Sequence, residues 1–91
     1  MPYEIVNPAS YRKKAIAFFK KHPDLLPRYE KTITLLTIDP HHPSLRLHKL
    51  KGKLAEYHSV SISMQYRIVV YFVIREKQIV LIDIGKHEDV Y

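Results

Sequence analysis

The residues best suited to chemistry in this 91-residue chain are histidines and arginines in or beside strand-forming segments. Arg67 lies in a run of β-branched and aromatic residues, and His87 follows a second run of the same kind. A hairpin that pairs Arg75 with Gln78 brings Arg67 and His87 to one end of the sheet. In that register Arg67 lies opposite Lys86, and a slip of one residue hardly changes its closeness to His87. An arginine that binds an anion would then lie beside a histidine that titrates near neutral pH.

A basic, proline-containing and irregular segment at residues 41–53 is the second candidate. Its cationic and imidazole side chains are Arg46, His48, Lys49, Lys51 and Lys53. Lysine and arginine side chains near phosphates release condensed counterions, so this segment fits contact with an RNA backbone, as does Lys86. The alternative is an ordinary solvated loop. The pair His41-His42 has no further ligands at metal-binding spacing, and we interpret it as part of the loop.

The composition favours an anionic partner. The chain has 15 Lys and Arg against 9 Asp and Glu, which gives a net charge of +6. It contains no cysteine, which excludes disulfides and thiolate metal sites. The first residues lack the layout of a signal peptide, and no apolar run approaches the roughly 20 residues that cross a bilayer. We therefore expect one cytoplasmic domain over residues 1–91.

The elements that would position these residues follow the order β-α-α-β-β-β. Asn7-Pro8 is typical of a helix start with Asn7 as its N-cap, and the apolar spacing predicts two helices that end near His22-Pro23 and Asp39-Pro40. Pro27 falls in the first turn of the second helix, where proline is tolerated. Strands are predicted at residues 3–6, 57–63, 66–75 and 78–85. The last two are apolar on both faces and should lie centrally, joined by a turn at Glu76-Lys77. The pattern predicts an α+β fold with two antiparallel helices on one face of a mostly antiparallel sheet.

The second half of the chain carries a recognisable combination of motifs. It has K-L-K-G at residues 49–52, a tyrosine at Tyr57, Y-R-I-V-V-Y at 66–71 and I-G-K-H-E-D-V-Y at 84–91. In this combination the chain resembles the RelE/ParE toxin superfamily, and within it the YafQ-like messenger-RNA-cleaving branch most of all. The first half resembles that superfamily only in the order of its helices.

The resemblance implies a type II toxin that cuts messenger RNA, mostly on the ribosome, without metal or cofactor, and that is held by an antitoxin. It implies that Arg67 contacts the scissile phosphate and that His87 transfers a proton. His48 matches a loop histidine that assists catalysis in the YafQ-like branch, and Tyr91 matches a terminal aromatic residue that orients the substrate. His58 stands where RelE has a catalytic lysine.

The chain departs from the YafQ-like pattern at Ser61, Gln65 and Ile84, where that branch has a histidine, an acidic residue and an arginine. Two other functions therefore stay open. One is a ParE-like toxin that inhibits DNA gyrase and cuts no RNA. The other is a toxin that has lost its catalysis and only binds its antitoxin.

The candidate residues also have structural interpretations. Arg67 could form an ion pair with Asp83 or Glu88. His58 alternates with apolar residues, which is typical of a histidine at the edge of a core. His87 could be an ordinary surface histidine.

Overall fold

The computed structural model of the chain describes residues 2–86. The predictions for His87 and Tyr91 therefore lie outside the described residues. The helices are α1 (Ala9–Lys21) and α2 (Leu26–Ile38). The strands are β1 (Glu4–Val6), β2 (His48–Lys49), β3 (His58–Ser61), β4 (Tyr66–Val73) and β5 (Gln78–Lys86).

The strands form one sheet in the order β1-β5-β4-β3-β2. Strand β1 pairs in parallel with β5, and the other neighbours are antiparallel. This arrangement confirms the predicted α+β class, with two helices on a mostly antiparallel sheet. The two-residue strand β2 was not predicted, because its sequence lies in the basic segment and lacks a strand-like run.

Both helices have a proline at or beside their first residue, where its missing backbone N–H leaves no helical hydrogen bond unmade. Helix α1 follows Pro8, which has an extended conformation, so the prediction that Asn7 caps this helix was wrong. A short 3₁₀ turn at Pro23–Leu25 precedes α2, which has Pro27 in its first turn as predicted.

The main core lies between the helices and one face of the sheet, the helix-side face. Tyr11 and Leu36 of the helices pack there against strand residues that include Val60, Ile68 and Ile79. The Tyr11 hydroxyl is 2.8 Å from that of Tyr29, and this hydrogen bond joins α1 to α2.

The face turned away from the helices, the open face, is partly covered by the basic segment. Leu50 and Val69 are buried in a smaller apolar cluster, and Leu54, Tyr57 and Ile82 pack against it. The prediction that the central strands are covered in part on both faces is therefore confirmed. The same cover explains why the serines of β3 are buried rather than solvated.

The predicted register of the β4–β5 hairpin was wrong. Val73, not Arg75, pairs with Gln78, because the connection is a 3₁₀ turn closed by Lys77 with a φ of 52°. A type I′ turn would need positive φ at both of its residues and a type II′ turn at the first, which Glu76-Lys77 does not favour. A bulge between Val69 and Val70 then shifts the pairing by one residue.

Helices long and apolar enough to cross a membrane are absent from the residues that the structure describes.

Candidate functional site

Arg67 lies on the open face of the sheet, near the end of β4. Alternation along the strand requires this, since the neighbouring Ile68 belongs to the helix-side core. Its cross-strand neighbours are Ser61 of β3 and Gly85 of β5, not Lys86 as predicted. Both neighbours are small, so the guanidinium has no bulky side chain directly beside it on either adjoining strand.

The guanidinium of Arg67 is incompletely satisfied. Its Nε and Nη1 atoms are buried and have no hydrogen-bond partner among the described residues. The alternative ion pair with Asp83 does not form, because Asp83 Oδ1 lies 3.6 Å from Lys14 Nζ and accepts a hydrogen bond from the Ile84 N–H. Buried unpaired donors destabilise a fold, and an anion such as a phosphodiester would satisfy them.

His48 lies on the same face as Arg67. It pairs with Ser59, which in turn pairs with Val69 of the open-face cluster. Two strand spacings and two residues along the strand separate the Cα atoms of His48 and Arg67 by about 12 Å. A phosphodiester between the two side chains is within their combined reach.

His58 lies on the helix-side face, at the edge of the core. Its ring contacts the ring of Phe72 edge-on at a centroid distance of 5.2 Å, and its buried Nδ1 has no hydrogen-bond partner in the described part of the chain. Burial lowers the pKa of His58, and electrostatic interaction with the neighbouring Lys49, His41 and His48 lowers it further. The ring is therefore neutral at pH 7, and its face differs from that of Arg67 and His48.

The predicted RNA-binding residues are all exposed, but they do not form one patch. Lys51 and Lys53 lie at the 3₁₀ turn Gly52–Leu54, which covers the open face. Lys49 and Lys86 are opposite His58 and Tyr66 in the sheet, and both therefore project towards the helix side. Arg46 has a φ of 48° and lies close to Met64.

The loop histidines have structural contacts. Nδ1 of His42 accepts hydrogen bonds from the backbone N–H of Ser44 at 3.2 Å and from its hydroxyl at 2.9 Å. The backbone N–H of His41 donates to Asp39. Between residues 2 and 86, no cluster of three or more His, Asp or Glu side chains is placed to hold a metal ion.

The sequence analysis did not predict that Ser61 and Gly85 are the cross-strand neighbours of Arg67. Ser61 is buried, and its hydroxyl donates to the Ser63 carbonyl at 2.6 Å. The signal was available in the short connection between two antiparallel strands, which brings Ser61 next to Arg67. The burial was not, since it depends on the basic segment that covers this face.

Solved structures of toxins match the chain over nearly its whole length. YafQ from E. coli is 15% identical, with 98% of each chain covered and a TM-score of 0.80. The E. coli DinJ–YafQ toxin–antitoxin complex is 15% identical over 100% of this chain and 99% of that one, with a TM-score of 0.77. A YoeB/ParE toxin from Agrobacterium tumefaciens is 20% identical over 92% and 98%, with a TM-score of 0.71.

These likenesses confirm the predicted RelE/YafQ-like toxin fold. No protein-family model matches the sequence. No curated protein matches it either.

Proposed function

We propose that this chain is the toxin of a type II toxin–antitoxin module and that it cuts messenger RNA. The observation that carries the proposal is the guanidinium of Arg67, which has two buried donors on the open face with no partner among the described residues. A phosphate is the group that such donors recognise best. The net charge of +6 and the basic segment beside the same face support a polyanionic substrate.

The proposed reaction is a transfer within the RNA. The ribose 2′-oxygen attacks the adjacent phosphorus while a base takes the 2′-hydroxyl proton, and the bond from phosphorus to the 5′-oxygen breaks. An acid protonates the departing 5′-oxygen, which leaves a cyclic phosphate and a free 5′-hydroxyl. Arg67 would stabilise the negative charge that develops on the phosphoryl oxygens.

The proton-transfer roles go to histidines in this proposal. His48 shares the open face with Arg67, which favours it over His58, whose ring faces the core. His87 is proposed as the second proton-transfer residue and Tyr91 as a substrate-orienting ring, on the motif alone. His58 could contribute only from the opposite face of the sheet. No resident cofactor is needed for this chemistry.

We further propose an antitoxin partner and action in the cytoplasm on ribosome-bound messenger RNA. The E. coli DinJ–YafQ complex, in which a toxin of this fold is bound by its antitoxin, supports the partner. An acidic and partly disordered antitoxin segment would complement the basic surface of this chain.

A second candidate is a toxin that acts by binding, as in ParE-like inhibition of DNA gyrase, or that only binds its antitoxin. One observation favours it. Among the described residues, His48 is the only predicted proton-transfer group on the face of Arg67, and Ser61 and Gln65 replace a histidine and an acidic residue of the YafQ-like pattern.

The test is induction of the chain in a bacterial host without antitoxin, followed by mapping of messenger RNA ends by primer extension. Arg67→Ala, His48→Ala and His87→Ala should each abolish growth arrest and new RNA ends. Arg75→Ala is the matched control, because Arg75 is exposed in the β4–β5 turn.

Four outcomes are informative. New ends from wild type and Arg75→Ala alone would support the nuclease. Growth arrest without new ends, together with inhibited supercoiling by gyrase, would favour the ParE-like alternative. Cleavage that persists in Arg67→Ala would refute the role of the arginine, and absence of arrest from a folded protein would favour the toxin that only binds its antitoxin.

A further inference from the structure

A cleft lies on the helix side of the sheet, where the last turn of α1 meets the ends of β4 and β5. It has a volume of about 620 Å³. Phe18 lines it from the last turns of α1, His22 from the position directly after α1, and Tyr66 from β4. Lys86 is the one predicted site residue that lines it among residues 2–86. Its aromatic members were not recognised from the sequence, because they are far apart along the chain.

The three rings of this aromatic cleft contact one another. Centroids are 4.7 Å apart between Phe18 and His22, 5.2 Å between Phe18 and Tyr66, and 4.7 Å between His22 and Tyr66. The rings are half-buried, so each keeps some surface towards solvent. They form a continuous aromatic surface that ends in an imidazole and a phenol.

The rim of the aromatic cleft is positively charged. Lys14, Lys21 and Lys86 line it against one acidic residue, Asp83, which is already engaged by Lys14. The carboxyl-terminal end of α1 carries a partial negative charge, and the lysines of the last turn offset it. The rim therefore attracts anions.

We propose that the aromatic cleft binds an unpaired RNA nucleotide, whose base stacks on the rings and whose phosphates contact the lysines. Stacking surfaces combined with basic rims are how proteins hold single-stranded nucleic acids without reading their sequence. A duplex hides its base faces, so paired RNA would gain only the contacts to lysine.

This inference rests on the proposed action on RNA and adds a second contact to it. Tyr66 and Arg67 are adjacent in β4 and face opposite sides of the sheet. Lys86 pairs with Tyr66, while Gly85 pairs with Arg67. The aromatic cleft and the proposed cleavage site thus lie at the same end of the sheet, and a nucleotide held in the cleft would anchor RNA that passes Arg67.

The stacking can be measured with a single fluorescent reporter. The chain has no tryptophan, so Tyr66→Trp introduces the only one. A short single-stranded RNA with 2′-O-methyl riboses, which cannot be cleaved, should quench this fluorescence. The same RNA as a duplex, and inorganic polyphosphate, should bind without comparable quenching. Equal quenching by polyphosphate would overturn the stacking proposal.

Matched variants of α1 test the site without relying on the reporter. In fluorescence anisotropy with labelled single-stranded RNA, His22→Ala should weaken binding about fivefold or more, the loss that removal of one stacking ring causes. Lys21→Gln should also weaken binding. Lys20→Gln is the control, since Lys20 is exposed on the same turn but does not line the cleft. An equal loss in Lys20→Gln would mean that bulk charge alone attracts the RNA.

Failure of the cleft and failure of the nuclease are distinguishable. Arg67→Ala combined with the Tyr66→Trp reporter should lose cleavage and keep the quenching. Quenching in Tyr66→Trp, together with a wild-type protein that cuts no RNA, would refute the nuclease and keep the nucleotide site. Cleavage that is intact when Tyr66→Trp shows no quenching and His22→Ala binds normally would refute the nucleotide site alone.

Discussion

Replacement of Arg67 by methionine should make the protein more stable and inactive at the same time. The side chain has two buried donors, Nε and Nη1, without partners in the described residues. A buried unsatisfied donor costs about 1–3 kcal/mol, and the half-buried position of Arg67 favours the lower end of that range. Methionine keeps the apolar stem in place and removes both donors.

Two donors at about 1 kcal/mol each give an expected gain for Arg67→Met of about 2 kcal/mol in the free energy of unfolding, which raises the melting temperature of a domain this size by about 8–16 °C. Urea unfolding followed by circular dichroism measures the first quantity, and a thermal scan measures the second. The control Arg75→Met, in an exposed turn, should stay within about 0.5 kcal/mol of wild type.

Bound RNA should make the wild-type protein more stable than Arg67→Met. At about 100 times its Kd, a ligand that binds only the folded state stabilises it by about 2.7 kcal/mol. Non-cleavable RNA should therefore raise the melting temperature of wild type more than that of Arg67→Met. If Arg67→Met unfolds at lower urea than wild type while Arg75→Met is unchanged, Arg67 holds the fold together and the inference from its unpaired donors is refuted.

Three further substitutions test other features of the structure. Tyr11→Phe should cost about 1 kcal/mol at neutral pH by removing the hydrogen bond to Tyr29. Burial raises the pKa of Tyr11 above its ordinary 10.0, so wild-type stability should fall as the pH rises past that value, and urea titrations should show a shallower fall in Tyr11→Phe. Burial lowers the pKa of His58 below its ordinary 6.5, so the free energy of unfolding should fall as the pH drops below 6.5. The free energy of unfolding of His58→Gln should depend less on pH in this range. An unchanged pH dependence would show that His58 does not cause the fall. Gly52 has a φ of 67° with open space around it, so Gly52→Ala should cost about 1 kcal/mol through backbone strain, and Gly52→Asn should unfold at higher urea than Gly52→Ala.

The element order was predictable because periodicity and proline positions are local properties. The apolar spacing in residues 9–38 specifies two helices whichever way they pack, and the two-sided apolar runs of β4 and β5 specify central strands. The strand β2 could not be predicted in the same way. Its two residues pair with β3 only because the basic segment folds back over the open face.

Register was the least predictable feature, and the reason is local. The left-handed conformation of Lys77 lengthens the β4–β5 connection, and the bulge beside Val69 removes part of that shift. Neither the turn at Lys77 nor the bulge beside Val69 contains a glycine, so the sequence gives no signal for either irregularity. The expectation that Arg67 lies at one end of the sheet survived, because each irregularity moves the partner by only a residue or two, but its cross-strand neighbour changed from a lysine to Gly85.

Strand alternation gives two neighbouring residues different environments. Arg67 faces small residues on the open side, where two of its guanidinium nitrogens have no partner in the described part of the chain and can meet a phosphate. Tyr66 faces α1 and joins an aromatic surface with a basic rim. A chain that bound RNA only through diffuse charge would not need either arrangement, since exposed lysines suffice for counterion release. The structure instead places the buried donors of Arg67 on one face of the sheet and the three contacting rings of the aromatic cleft on the other, at the same end of the β4–β5 hairpin. Binding and cleavage should therefore be separable by single substitutions on opposite sides of β4.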